Sequence, residues 1–84
     1  MSMIQPAYPP IALQSAVSGR VWVKFYVDKK GVVREVVVVK AVPTDLGFEE
    51  ESIKAVKQWK FTPAIQDKHP VGVWVAQAIS FKVR

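Results

Sequence analysis

The stretch RVWVKFYVDKKGVVREVVVVKAV, positions 20–42, leaves this chain few ways to fold. Val21, Val23, Phe25 and Val27 alternate with Arg20, Trp22, Lys24 and Tyr26, and a period of two sends successive side chains to opposite faces of a strand. Asp28 to Gly31 then supplies turn chemistry, with Gly31 able to take the positive φ that a tight reversal requires. The segment is therefore a β-hairpin with one strongly apolar face, and such a hairpin is stable only when something covers that face. The returning strand, 32–42, carries the run VVVV and does not declare its buried side by alternation; Val36 and Val38 are assigned inward. Pro43 stops the pairing, and PTDLG is a loop.

The cover comes from two segments in which the apolar spacing changes. In FEEESIKAVKQWKFTPA, positions 48–64, Phe48, Ile53, Val56 and Trp59 recur at three and four residues, with Ser52 and Ala55 as small neighbours, so a helix is expected. Glu49, Glu50 and Glu51 in its first turn and Lys54, Lys57 and Lys60 toward its end complement the helix dipole. Glu50 and Lys54 also have the favourable i, i+4 order. Pro63 disfavours helical geometry at Thr62, which places the helix end near Lys60. Earlier, YPPIALQSAVSG reads as a short helix that tolerates prolines in its first turn, offers Ile11, Ala12, Ala16 and Val17 as contacts, and ends at Gly19.

After a DKHP turn, VGVWVAQAISFKV at 71–83 reads as one long strand, with Val71, Val73, Val75, Ile79 and Phe81 on one face. Trp74, Ala78, Ser80 and Lys82 occupy the other, and Gln77 falls on the otherwise apolar side. The expected fold class is α+β: an α-β-β-α-β order in which a three-stranded antiparallel sheet is packed on one face by two helices. At 84 residues, half of them hydrophobic and none of them cysteine, the chain makes one domain held by packing alone. Residues 1–7 are assigned to an N-terminal arm and 8–84 to the domain. Val21, Val23, Phe25, Val56, Trp59 and Phe61 are its expected structural core.

Catalysis has little to work with. The single histidine, His69, lies in a turn beside Pro70 and has no companions with which to ligate a metal. Asp28 and Asp67 sit in turns, Asp45 leads into a helix, and the glutamates serve helix and strand. No nucleophile elbow or phosphate-binding glycine loop is present. The expectation is a non-enzyme with no catalytic residue, metal or cofactor.

Two features invite a partner. Trp22 and Tyr26 on one strand and Trp74 on another form an aromatic patch on the face away from the helices, unless lysine stems or the arm cover it. The last strand must lie at or beside a sheet edge, where unpaired backbone groups accept a further strand unless a second copy or the arm takes that place. A formal charge of +5 and a pI near 9.8 allow acidic proteins, anionic surfaces or nucleic acid as partners. No stretch approaches the ~18 apolar residues of a membrane span, and MSMIQPAYPP lacks the charged and apolar regions of a signal peptide. The chain is expected to be an excerpt of a longer protein.

Taken together, QPAYPPIA, the 20–42 hairpin with its preceding SG, FEEESIKAVKQWKFTPA and HPVGVWVAQAISFKV resemble the C-terminal domain of the TonB family, the energy transducers of Gram-negative envelopes. The likeness covers nearly all of 5–84. It is carried by the order and spacing of Tyr8-Pro9 with Ala12, Gly19, the Asp28 and Gly31 turn, Ala55-Val56 with Trp59, Phe61, Pro63 and Phe81. The resemblance implies a periplasmic domain tied upstream by a proline-rich linker to an inner-membrane helix. It implies coupling of the ExbB and ExbD motor to TonB-dependent outer-membrane receptors. The partner segment, the TonB box, would add as a β-strand to the last strand, through Val71, Val73, Trp74, Val75, Gln77, Ile79 and Phe81. Gln5, Pro6, Tyr8 and Pro9 match the family's receptor-contacting arm. Family members also pair through the terminal strand, so a homodimer is a further expectation to test. The competing class is a basic single-stranded nucleic-acid module stacking bases on Trp22, Tyr26 and Trp74. It lacks an RNP1 motif and a GxxG loop, and nucleic acid is not the expected partner. A third reading places the same domain in an envelope sensor.

Overall fold

The computed structural model describes residues 4–83 of the chain. Residues 1–3 and 84, at the ends of the expected arm and domain, lie outside the described residues. The elements run α1 (Pro10–Gln14), β1 (Gly19–Val27), β2 (Val33–Val42), α2 (Phe48–Lys57), β3 (Ala64–Gln66), β4 (His69–Val71) and β5 (Val73–Phe81). The main sheet is antiparallel throughout, in the order β2-β1-β5, so the most strictly alternating strand is central and β5 is an edge. This is the α+β architecture that the hairpin and the helix periodicity imply.

The β1–β2 reversal is organised by Asp28. Its Oδ1 accepts from the amides of Lys30 at 2.8 Å and Val32 at 3.0 Å, and its Oδ2 accepts from Arg34 Nε at 2.7 Å. Gly31 closes the turn at φ +82°, and its carbonyl accepts from the Phe61 amide at 2.9 Å. A Cβ at this position would stand 1.9 Å from the Phe61 carbonyl oxygen, so both φ and space demand glycine. The turn thus also fastens the segment that follows α2.

Val21, Val23, Phe25 and Val27 of β1 are buried under α2, and Val33, Val36, Val38 and Ala41 of β2 lie on the same side. Removing each such side chain from water contributes about 1.5–3 kcal/mol before ordering entropy. α2 meets the sheet with Phe48, Ser52, Ala55 and Val56, a stripe spaced i, i+4, i+7, i+8. Ile53, expected in this stripe, falls beside it and is half-buried. The helix also ends earlier than its Pro63 suggested: Gln58 and Trp59 amides bond to the carbonyls of Ala55 and Val56, three residues back, and tighten the last turn. Trp59 therefore packs from just beyond the helix, edge-on to Phe25 at 5.8 Å, while Phe61 stacks on Phe25 at 5.6 Å.

Three further expectations need correction. α1 is only five residues long, its Ala12 is buried, and Val17 packs against the core, but Ile11 and Ala16 are exposed. One turn of helix has a single inward position, and Ala16 with φ +54° ends it, leaving Gly19 to open β1 rather than to stop α1. The 71–83 segment is not one strand: Val71 pairs with Ala64 in a small hairpin, and β5 starts at Val73. That hairpin was not anticipated. Its two-residue turn, Asp67-Lys68, has both φ values positive, the geometry that suits the twist of paired strands. Gly72 makes the break because the Tyr26 hydroxyl lies where its Cβ would be. A glycine within an apolar strand pattern is the signal for such an approach.

Candidate strand-binding edge

β5 pairs along its length with β1, from Phe81 opposite Gly19 to Val73 opposite Val27, and among the described residues no strand pairs with its other side. The inward residues grade from exposed end to core: Val73, Val75 and Gln77 are half-buried, whereas Ile79 and Phe81 are buried. Outward lie Trp74, Ala76, Ala78 and Ser80, all exposed. Among the expected strand-binding residues Val71 alone sits off this edge, in β4.

The arm runs beside the same edge and is docked to the domain. Trp59 Nε1 donates to the Ile4 carbonyl at 2.8 Å, which explains why an indole so deeply buried has its polar atom satisfied. Ile4, Gln5 and Pro6 face Gln77, Ile79 and Trp59 across a crevice of about 180 Å³. Gln5 is exposed and Pro6 half-buried; Pro9 is buried beside Gly47. Tyr8 turns inward: its hydroxyl donates to the Val17 carbonyl, and its ring stands edge-on to Phe48 and Phe81, each at 5.8 Å. Tyr8 and Pro9 thus clamp the arm to the core, and the surface the arm offers beside β5 is chiefly Gln5 and Pro6.

The three aromatics of the outer face are brought together in part. Tyr26 and Trp74 touch at 5.5 Å, while Trp22 lies four residues back along β1, with Lys24 between them on the same face. Trp22 and Tyr26 are half-buried and Trp74 is 53% exposed. Arg20 and Lys40 approach the Trp22 ring at 5.8 and 5.4 Å, and Lys24 lies 5.7 Å from the Trp74 centroid. The two indoles are capped by cations instead of standing free, an arrangement that burial of the long aliphatic stems favours.

Sequence reasoning missed the small side chain of Ala76, which with Ala78 and Ser80 leaves the outer side of β5 low, and the carbonyl of Ile4 as an anchor. The first is visible as alternation in AQAIS; the second has no sequence signal because any residue supplies a carbonyl. Asp28, the one titratable group among the described residues with a marked displacement, is held at about 2 by the Val32 amide foremost, then by Arg34. It lies in the turn, away from the edge. His69 is exposed on β4, and no group of three or more potential metal ligands occurs among the described residues. No helix among them is long and apolar enough to cross a membrane.

Known proteins share this arrangement. Residues 4–83 match the family described as Gram-negative bacterial TonB protein C-terminal. The TonB protein of Vibrio cholerae is 30% identical over 98% of this chain and 33% of its own length, and the tonB2 protein of Pseudomonas aeruginosa is 31% identical over 93% and 28%. The chain thus spans about a third or less of these curated relatives. The solution NMR structure of the Pseudomonas aeruginosa TonB C-terminal domain superposes with a TM-score of 0.84 at 28% identity, over 99% of this chain and 83% of that one. The TonB2 protein from Vibrio anguillarum gives a TM-score of 0.68 at 35% identity, over 95% and 76%. With the match running through arm, hairpin, helix and edge strand alike, the chain belongs to the TonB C-terminal domain family.

Proposed function

We propose that this domain is the receptor-binding end of an energy transducer in a Gram-negative envelope, and that it works by capturing a short receptor segment as a strand added to β5. The observation that carries this reading is the open edge of β5 lying beside a docked arm. Backbone groups on such an edge give affinity while making few demands on the guest sequence. Several such bonds, loaded together when the guest is pulled along its length, resist force better than the same bonds peeled one at a time. The capturing surface comprises Val73, Trp74, Val75, Gln77, Ile79 and Phe81 of β5, with Gln5 and Pro6 contacting the guest and Tyr8 and Pro9 holding the arm in place.

In the whole protein the domain would be periplasmic, joined through an upstream linker and inner-membrane anchor to an ExbB and ExbD motor, and its guests would be TonB-dependent outer-membrane receptors engaged in nutrient uptake. No catalytic step and no cofactor enters this scheme. The test is an amide NMR titration with short extended peptides from receptor N-termini, with single-stranded DNA alongside. Shifts along β5 and at Gln5 on adding peptide are expected. Shifts only with DNA, centred on Trp22, Tyr26 and Trp74, would replace strand capture by a nucleic-acid platform.

A further inference from the structure

Strand capture uses the edge of β5 and leaves the broad outer face of the main sheet without a task. The registers set that face out in four rows from β2 through β1 to β5: Val42, Arg20, Ser80; then Lys40, Trp22, Ala78; then Val37, Lys24, Ala76; then Glu35, Tyr26, Trp74. Three cations stand against one carboxylate, and Lys82 adds a fourth cation at the Arg20 end. Among the described residues the ion pairs are Arg34 with Asp28 and Lys54 with Glu51, so none of these four cations is matched by an acid. Glu49, Glu50 and Glu51 lie instead on the first turn of α2, which covers the opposite face.

The same face exposes apolar surface between its charges. Trp74, Val37 and Val42 are exposed on it, and Val39, left without a partner by the bulge in β2, adds a further exposed valine at the margin. Arginine and lysine lie across the indoles of Trp22 and Trp74 at 5.4 to 5.8 Å, with stems long enough to stay on a ring while their charges reach a phosphate. At the Arg20 end the face sinks into a concavity of about 400 Å³ whose walls include Arg20, Trp22, Val42, Ser80 and Lys82 and no acid. Arg20 is steadied there by donating from Nε to Ser80 Oγ at 3.2 Å, which leaves its remaining N–H groups to a ligand.

Unmatched cations interleaved with indoles and scattered aliphatics suit the interface of a bilayer, where aromatic rings sit at headgroup level and basic side chains meet lipid phosphates. A stacking platform for single-stranded nucleic acid needs bare rings, and here both indoles are already covered. We infer that the outer face of the sheet docks flat on an anionic phospholipid surface, with a lipid phosphate received between Arg20 and Lys82. In that pose the sheet lies parallel to the bilayer and the glutamates of α2 are turned away from its negative charge. The free edge of β5 then points along the membrane plane, open to a segment arriving beside it. The docking depends on the face alone and holds whether or not β5 captures a strand.

The experiment is co-sedimentation of the domain with vesicles of phosphatidylcholine, alone or mixed with phosphatidylglycerol, at about 50 and about 300 mM salt. Binding to the mixed vesicles should be at least roughly tenfold tighter than to phosphatidylcholine at low salt, and the difference should shrink at high salt. An Arg20→Gln, Lys24→Gln double variant should bind the mixed vesicles roughly 20-fold more weakly, each charge contributing about fivefold. Lys54→Gln, Lys57→Gln on α2 removes the same charge from the other side and should cost no more than about twofold. Brominated phosphatidylglycerol should quench the tryptophan fluorescence of the wild type, and a Trp22→Phe, Trp74→Phe variant, left with buried Trp59, should escape quenching. Equal binding to both vesicle types, equal losses in the two charge variants, or quenching that persists without Trp22 and Trp74 would overturn the docked face. Single-stranded DNA that binds more tightly than the mixed vesicles, and loses affinity in the Arg20→Gln, Lys24→Gln variant, would overturn it in favour of nucleic acid.

Discussion

Trp59 joins three parts of the molecule at once: its ring meets Phe25 of the central strand, its indole N–H holds the Ile4 carbonyl of the arm, and its position just after α2 fixes the exit of that helix. Trp59→Ala should cost about 3–5 kcal/mol in denaturant unfolding, since a large ring is removed from the core. Trp59→Phe keeps most of the packing but loses the hydrogen bond; a smaller loss of about 0.5–1.5 kcal/mol is expected, with faster amide exchange in the arm. A loss below about 1 kcal/mol for the alanine variant would remove Trp59 from the core. Asp28 makes a second prediction. Its carboxyl is displaced from 3.8 down to about 2, so the stability it adds is present above the unfolded value and is lost as pH falls from about 4 through 2. Thermal midpoints of the wild type should therefore drop across that window, and those of Asp28→Asn should drop less steeply.

At the scale of elements, α2 divides its work between its two sides. Its outer side carries acids early and lysines late, with Glu51 and Lys54 bonded at 3.2 Å, an exposed pair that adds little by itself. The inner side decides how closely the helix approaches the sheet, and there Ser52 is fully buried with its hydroxyl making no hydrogen bond among the described residues. Ser52→Ala should raise stability by about 0.5–1 kcal/mol, because it removes a desolvated hydroxyl and improves helix propensity without changing the packing distance. Unchanged or lowered stability in equilibrium unfolding would mean that the hydroxyl is satisfied in solution. The β3–β4 hairpin is a separate two-stranded unit, carrying an exposed Ile65, and contributes little to the core.

Over the whole molecule, the arm and the domain behave as one packed body. Tyr8 sets its ring edge-on against both Phe48 of α2 and Phe81 of β5, which touch each other at 4.8 Å, while its hydroxyl reaches the loop before β1. Tyr8→Ala should therefore lower stability by about 3 kcal/mol or more. In a domain of this size that corresponds to a fall of roughly 12–24 °C in the midpoint of a single thermal transition followed by circular dichroism. A two-step transition would show instead that the arm melts by itself.

The sequence by itself determined the hairpin, because alternation in RVWVKFYV and the Asp28 to Gly31 turn admit one period and one reversal. It determined α2 for the same local reason, an apolar spacing of three and four with charges ordered along it. The resemblance carried by motif order pointed to the family before any contact was visible. What tertiary structure decided were the properties that depend on distant neighbours. Strand order made β5 an edge; Tyr26 pressing on Gly72 split the last apolar run; and the cores of Phe48 and Phe81 drew Tyr8 inward from an arm whose composition reads as exposed. Periodicity reports which side of an element is apolar, but the partner that covers that side lies tens of residues away, and only packing selects it.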